Sequence, residues 1–347
     1  MDFKNLVITP ELLKTIAEID EFNGGWKVQH NLNPDFLTHL RQIATIESIG
    51  SSTRIEGSKL TDSEIESLLV GVGQQSFANR DEQEVVGYSE IMETIFSNFE
   101  QIEISENYIK QLHAILLRHS QKDLRHRGEY KKHSNSVEAF SEKGESIGVV
   151  FETTSAFDTP KAMQELVYWT RETLSDGSLH PLVVIGIFNV VFLAIHPFQD
   201  GNGRLSRALV SLLMLKSGYG YIPYSSLESI VEKNKEGYYL ALQRTQKTLK
   251  AKQDWTAWLH FFFRSLKRQK DHLEVKISAV EKYSHLPQES IIIMRYLETN
   301  NRITIAAASE LITTISRPSV KNRLAELVKL GLVVRNGKAR ATWYSKV

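Results

Sequence analysis

The sequence predicts a mainly α-helical protein with one short β segment in its middle and a β-hairpin near its C-terminus. Three observations carry this reading. Apolar residues recur at helical spacing along most of the 347 residues, the chain has only 8 prolines and 19 glycines, and strand signals stand out at Ile147 to Glu152 and around Asn336-Gly337. Hydrophobic residues make up 41% of the chain, enough for a substantial core, and the length exceeds one ordinary domain. The absence of cysteine excludes disulfide stapling, and no HExxH-type spacing is present, so no structural zinc site is expected.

Taken in order, residues 1–105 read as an N-terminal helical region: ITPELLKTIAEIDEF, then a helix from Phe36 to Ile55, then TDSEIESLLVGV and DEQEVVGYSEIMETIFSNF. Gly57 is the stop of the second helix, and Thr61 to Glu64 offers a capping box to the third. Residues 106–275 read as the main helical bundle. Inside it, Ile147-Gly148-Val149-Val150-Phe151-Glu152 follows the polar stretch HSNSVEAFSEKGES and reads as a short strand. Leu182 to Ile195 is the longest apolar run; it is too short to span a bilayer and carries Asn189, so it is expected as a buried central helix and no membrane partner is expected. A helix is expected from Leu205 onward (LSRALVSLLMLKSG) with Gly218 as its stop, and another over Asn234 to Gln246. Lys267 to Lys282 is a charged helical stretch suited to joining domains, and Leu286-Pro287 punctuates it. MDFKNLVITPELLK lacks a charged-then-apolar leader, so the cytoplasm is the expected location.

The chemistry concentrates in His196-Pro-Phe-Gln-Asp-Gly-Asn-Gly-Arg-Leu-Ser-Arg207. Gly201 and Gly203 free the backbone for φ > 0 and for close approach to a ligand, and Asn202 tolerates left-handed geometry. Successive N–H groups in such a turn make an anion-binding concavity, and a helix N-terminus just behind it adds its positive end. Arg204 and Arg207, three apart, suit two or more phosphates gripped by bidentate hydrogen bonds. Asp200 would repel phosphate unless Mg²⁺ stood between them. His196 has the one nearby side chain that titrates near neutrality, which fits a general base. Phe198 alternates with these polar residues and is expected to plug into the core. His180, His113 and His260 read as cap or packing residues.

This window resembles the Fic family motif, HxFx[D/E]GNGRxxR, at every defined position. The resemblance implies a Fic-type helical fold with a β-hairpin flap, and transfer of AMP from ATP to a hydroxyl side chain of a target protein. It casts His196 as the base and Asp200 as the Mg²⁺ ligand at the α- and β-phosphates. Asn202 and the Gly201 and Gly203 amides would sit on phosphate oxygens, Arg204 and Arg207 on the β/γ end, and Phe198 within the nucleotide-binding loop. Kinase-like relatives carry Lys at the second glycine, and Gly203 argues against that activity.

Ser52-Thr-Arg-Ile-Glu56-Gly57 resembles the inhibitory motif [S/T]xxxE[G/N] of the same family. Ser52 and Glu56 are four apart and share a helix face. The resemblance pairs Glu56 with Arg207, which would keep that arginine from the γ-phosphate. It also places the flap at Ile147, Gly148, Val149 and Val150, registering a target segment by strand addition. Tyr239, Leu242 and Gln246 would wall the adenine.

The last sixty or so residues differ in character. Between Leu286 and Val347 stand ten Lys/Arg and four Asp/Glu, about +6, against about −5 for the remainder. ESIIIMRYLETN, TIAAASELI and PSVKNRLAELVKLG read as helices, and Asn336-Gly337 between β-branched runs as a hairpin turn. The order over 286–347 resembles a winged helix-turn-helix. Ser319, Lys321, Asn322 and Arg323 would open the recognition helix, and Arg335, Lys338 and Arg340 would line the wing, giving a module able to bind DNA or to dock protein.

The expected protein is therefore an autoinhibited adenylyltransferase using ATP and Mg²⁺. Its expected partners are a target protein, itself by self-modification, DNA through the C-terminal module, and a second copy as a homodimer. Two alternatives share the residues: a de-AMPylating or bifunctional enzyme in which Glu56 positions water, and a DNA-binding regulator with a nucleotide-sensing core.

Overall fold

A computed structural model describes residues 6–28, 34–71, 77, 79–133, 135–140, 146–281, 286–312, 314–337 and 342–347. The chain divides into two compact units, 1–272 and 273–347, the division falling inside one helix.

The first unit is helical apart from one hairpin. Its elements are α1 (Pro10–Val28), α2 (Pro34–Ile55), α3 (Asp62–Val70), α4 (Arg80–Asn98), α5 (Glu106–Leu116), β1 (Ser136–Phe140), β2 (Ser146–Glu152), α6 (Thr159–Asp176), α7 (Pro181–Ile195), α8 (Asn202–Lys216), α9 (Leu227–Glu232), α10 (Lys235–Gln246) and α11 (Thr256–Glu281). A short 3₁₀ turn, Ile222–Tyr224, precedes α9. The capping box read at Thr61 is present: its hydroxyl accepts from Glu64 N–H, and the Glu64 carboxylate accepts from Thr61 N–H at 2.8 Å.

Helix α7 is the axis of this unit. Twelve of its fifteen residues are buried, because apolar side chains occupy all its faces rather than one stripe. It starts on His180, whose ring accepts from Leu182 N–H, and on Pro181, which fixes φ where no helical donor is lost. Helices α6 and α8 flank it. A Cβ at Gly186 would sit 3.0 Å from Leu259 and Phe262 of α11, so this small residue lets two helices close up. Gly87 does the same for α4, since a Cβ there would run into the Leu116 carbonyl at the end of α5.

Strands β1 and β2 pair antiparallel, with Ser136 opposite Glu152 and Phe140 opposite Ser146. Register shifts fall at Val137/Glu138 and Ala139/Phe140, irregularities that bend and twist a two-stranded ribbon. The hairpin expected from the resemblance is thus part of the fold, and β2 holds Ile147 to Val150.

The second unit contains α12 (Gln288–Thr299), α13 (Ile305–Leu311), α14 (Arg317–Lys329), β3 (Val333–Asn336) and β4 (Trp343–Lys346). Ile293, Met294, Ile303, Ala308, Leu324 and Leu327 form its core. Asn336 is the last paired residue of β3, opposite Trp343, so β3 and β4 form the antiparallel hairpin expected around Asn336-Gly337. Gly337 follows β3 with φ 77°. Lys338 and Arg340 lie outside the described residues.

Candidate functional site

The site begins where α7 stops. His196 takes a left-handed backbone conformation (φ 53°, ψ 61°) and, among the described residues, is the one non-glycine with positive φ. A β-carbon costs roughly 1 kcal/mol or more there, so the turn persists only because its surroundings over-determine it. They do so by hydrogen bonds. His196 N–H donates to Phe192 O at 2.8 Å, Lys131 N–H to Pro197 O at 2.8 Å, and Asn135 Nδ2 to Phe198 O at 2.8 Å.

Asn202 closes the loop from the other side. Its Oδ1 accepts from Phe198 N–H at 2.9 Å and its Nδ2 donates to Phe198 O at 2.8 Å. The side chain is buried and both its polar atoms bond the Phe198 backbone, so it clamps the loop. Phe198 is buried as well. Its ring stacks on His113 with centroids 3.8 Å apart, which makes it the plug of the loop and not a nucleotide contact. His113 in turn accepts from Gly128 N–H at Nδ1 (2.8 Å), so Nε2 carries the proton and donates to Asp200 O at 3.0 Å. Burial pushes this imidazole down to about 4, which keeps it neutral in that role.

Helix α8 starts at Asn202, three residues before the expected Leu205, with Gly201 as N-cap at φ 77°. The two glycines therefore do different work. Gly201 needs its left-handed backbone. Gly203 lies in the first helical turn and lacks positive φ; it is small because a Cβ would overlap the Glu56 carboxylate.

Glu56 reaches this helix N-terminus from the end of α2. Its N–H bonds Thr53 O, and Gly57 follows at φ 106°, a glycine-type stop. Arg207 Nη2 donates to Glu56 Oε1 at 2.8 Å and to Ser52 O at 2.9 Å, while Nε donates to Ser52 Oγ at 2.9 Å. Burial works to lower the Arg207 pKa, but the Glu56 charge beside it holds the guanidinium above its ordinary value. Arg54 braces α2 through Glu232 (2.6 Å) and Asp62 (2.8 Å), so Ser52 and Glu56 are carried on an anchored helix.

Arg204 does not stand beside Arg207 as a second phosphate clamp. Its side chain is 2% exposed and pairs with Glu84 at 3.0 Å and Asp200 at 3.4 Å, so it orients the loop carboxylate from beneath. Arg80 takes the other Asp200 oxygen at 2.8 Å. Burial tends to raise the Asp200 carboxyl, yet Arg204, Arg80 and the Gly201 N–H together hold it below its usual value.

At His196 the low-dielectric surroundings act first and the Lys131 charge second, and together they push the imidazole down to about 4. Nδ1 faces Leu193 O at 3.4 Å, an acceptor that requires Nδ1 to carry the proton and leaves the Nε2 lone pair free. On α10, Leu242 is buried and Tyr239 half-buried, and Gln246 is buried with both amide atoms lacking a partner among the described residues.

Lys131, Asn135, His113, Glu84 and Arg80 were missed as site residues. They come from α4, α5 and the segment before β1, outside any motif spacing, so only folding brings them to the loop.

A helical bundle that ends its buried axis in an HxFxDGNGRxxR loop, beside a β-hairpin, is a Fic-type fold. Residues 103–214 match the model of the Fic/DOC family. The protein adenylyltransferase Fic of Drosophila virilis is 28% identical over 220 residues, covering 61% of this chain and 42% of that protein. That of Drosophila grimshawi is 28% identical over 226 residues, covering 62% and 43%. The chain thus spans less than half the length of these curated relatives. A Fic family protein from Desulfovibrio desulfuricans G20 superposes with a TM-score of 0.63 at 22% identity, covering 99% of this chain and 98% of that one. A Fic domain containing signaling protein from Bacteroides thetaiotaomicron gives 0.59 at 26% identity, covering 74% and 94%. Residues 103–214 thus match the Fic/DOC family, and the chain is similar in fold to the Fic proteins named here.

Proposed function

We propose that the protein is an adenylyltransferase that moves AMP from ATP to a hydroxyl side chain of a target protein, with Glu56 as its built-in brake. One observation carries this: the unprotonated Nε2 of His196 stands at the end of α7, a short loop away from the helix N-terminus that Glu56 covers. A carboxylate held there marks an anion site. The names of the relatives support the same chemistry. In this reading residues 1–105 hold the inhibitory segment, 106–275 the catalytic core and 286–347 a winged-helix module.

His196 takes the proton of the target hydroxyl as its oxygen attacks the α-phosphorus and pyrophosphate leaves. The loop N–H groups and Arg207 position the phosphates, which is most of what phosphoryl transfer asks of a protein. Gln246 supplies an unused donor and acceptor for a base edge, beside Tyr239 and Leu242. Asp200 would hold Mg²⁺ as a partly exposed oxygen donor, with the Arg80 contact on its outer oxygen giving way to the ion. An ion taken there would draw its remaining ligands from phosphate and water, as Mg²⁺ prefers. Bound Mg²⁺ supplies neutralisation of phosphate charge. The hairpin β1–β2 registers the target by strand addition.

The test is label transfer from α-³²P-ATP with Mg²⁺ to lysate proteins and to the chain itself, in wild type, Glu56→Gly and the Glu56→Gly/His196→Ala double variant. Absence of label in all three rejects the reading. Hydrolysis of AMP from a labelled target is the second use of the same site. There Glu56 orients water, and Glu56→Gly abolishes the reaction instead of raising it.

Two outcomes follow directly. Gly203→Ala places a methyl against the Glu56 carboxylate, a flexible group that yields by swinging off Arg207. Self-labelling is expected to rise severalfold while the fold is retained. The base must be unprotonated, and its pKa is pushed down to about 4. The transfer rate of Glu56→Gly is therefore expected to stay flat from pH 8 to about 5.5 and to fall only as pH approaches that value. An ordinary histidine would lose rate already near pH 6.5.

In the second unit Lys321 and Asn322 are exposed on α14, Ser319 is half-buried, and Arg323 is engaged by Glu326 (2.9 Å) and Glu289 (3.6 Å). DNA binding by this unit would rest on Lys321, Asn322 and the wing, and a salt-sensitive shift with the whole chain that is lost on Lys321→Glu tests it.

A further inference from the structure

Lys131 is a buried cation with no carboxylate on its ammonium among the described residues. Its side chain spends all three N–H donors on neutral acceptors: Ile195 O at 3.0 Å, Asn135 Oδ1 at 2.8 Å and Thr153 Oγ1 at 2.8 Å. The residue is 3% exposed. Burying an ammonium this way is unfavourable unless the fold gains something by it. What offsets it here is the C-terminal end of α7, whose last carbonyls carry partial negative charge and one of which, Ile195 O, Lys131 caps.

The acceptors are not scattered. Asn135 immediately precedes β1 and Thr153 immediately follows β2, so they are the two stems of the hairpin. Thr153 also donates to Asn135 Oδ1 at 2.7 Å, closing the stem. Asn135 passes the connection on to Phe198 O, and Lys131 N–H bonds Pro197 O. The carbonyls of Ile195, Pro197 and Phe198 thus all accept from the 131–135 stretch, on both sides of the strained His196.

We propose that Lys131 is the positioning residue of the site, its ammonium fastening both hairpin stems to the last carbonyl of α7 so that flap and His196 move as one body. This rests on the adenylyl-transfer reading of His196, but its test does not need activity. A second effect follows from charge. After burial, the Lys131 charge acts on the imidazole, opposed by the Leu193 carbonyl, Glu56 and Asp200, and it helps keep that ring free of a proton. Burial lowers Lys131 itself to about 8, so the clasp is at full charge below that pH and weakens above it.

The experiment compares wild type with Lys131→Met, Lys131→Arg and Thr153→Val, each in the full-length chain. Two readouts are taken: the His196 imidazole titration by NMR, assigned by difference against His196→Ala, and amide hydrogen exchange over residues 136–152. In Lys131→Met the His196 pKa is expected to rise by a unit or more and hairpin exchange to speed up at least tenfold. Lys131→Arg is expected to restore the titration and part of the protection. Thr153→Val keeps the charge and loses one stem bond, so it is expected to speed exchange while leaving the titration near its wild-type value. An unchanged titration together with unchanged exchange in folded Lys131→Met overturns the proposal. If that variant does not fold, Thr153→Val with wild-type exchange overturns it. Failure of label transfer in every variant, with both readouts as expected, would instead count against the adenylyl-transfer reading alone.

Discussion

Replacing Glu56 by glycine is expected to raise adenylyl transfer by about 10- to 100-fold. The estimate follows from the bond that is removed. A hydrogen bond between charged groups contributes roughly 1.5–3 kcal/mol net, and each 1.4 kcal/mol is about a factor of ten in rate or occupancy. The same change is expected to lower thermal stability, because Arg207 loses its carboxylate while staying buried. The loss should remain near 1–2 kcal/mol, since Ser52 keeps two bonds to the guanidinium and the Glu56 side chain is 29% exposed. Higher activity with lower stability is a signature that simple damage cannot give. Added nucleotide should recover the lost stability in a melting experiment, because its phosphate takes the place of the carboxylate. A Glu56→Gly protein that melts lower and transfers no faster would refute the brake.

Replacing His196 by alanine, in the Glu56→Gly background, is expected to cut transfer by about 10²- to 10⁴-fold, the usual contribution of a positioned general base. Nucleotide affinity should change little, because the phosphate-facing groups lie on the other side of the loop, at the start of α8. Alanine keeps the β-carbon that histidine already places on this left-handed backbone, so the turn itself should add little to any loss of stability. His196→Asn is the matched control, since asparagine tolerates that conformation but cannot take the proton. Both variants should be equally inactive. Transfer by His196→Asn at the wild-type rate would mean that the backbone turn, and not the imidazole, is what the reaction needs.

Much of this was legible in the chain. The window from His196 to Arg207 carries its chemistry in contiguous residues, and Ser52 to Glu56 lies on consecutive turns, so both could be read by spacing. The buried axis announced itself as an apolar run. The individual roles inside the window were less legible, for a physical reason. A Gly-Asn-Gly triplet reads as loop, and nothing local reveals that Asn202 turns back to the Phe198 backbone and lets α8 begin there. Gly203 was read as a backbone requirement, whereas its smallness answers to Glu56, 147 positions earlier in the sequence. Arg204 was read as a phosphate ligand because its partner Glu84 sits on α4, in a segment with no motif. Lys131 gave no signal at all. A lysine in a polar stretch is ordinarily a solvated side chain, and only the closing of the hairpin over α7 buries it.

The three bonds of Arg207 are unequal in what they allow. Two fasten the guanidinium to Ser52, on a helix that Arg54 anchors, and one alone goes to the movable carboxylate. If Glu56 is the brake proposed above, its release requires no travel of α2 and no melting of the fold; a single side-chain rotamer has to change. Such a change takes nanoseconds, so the open form exchanges far faster than any turnover, and the resting activity is simply its equilibrium population. With a clasp of about 1.5–3 kcal/mol that population is roughly 1–10%. On the proposed reading the protein would be a dimmer and not a latch: slightly on at rest, with whatever crowds Glu56 or draws it aside setting the level.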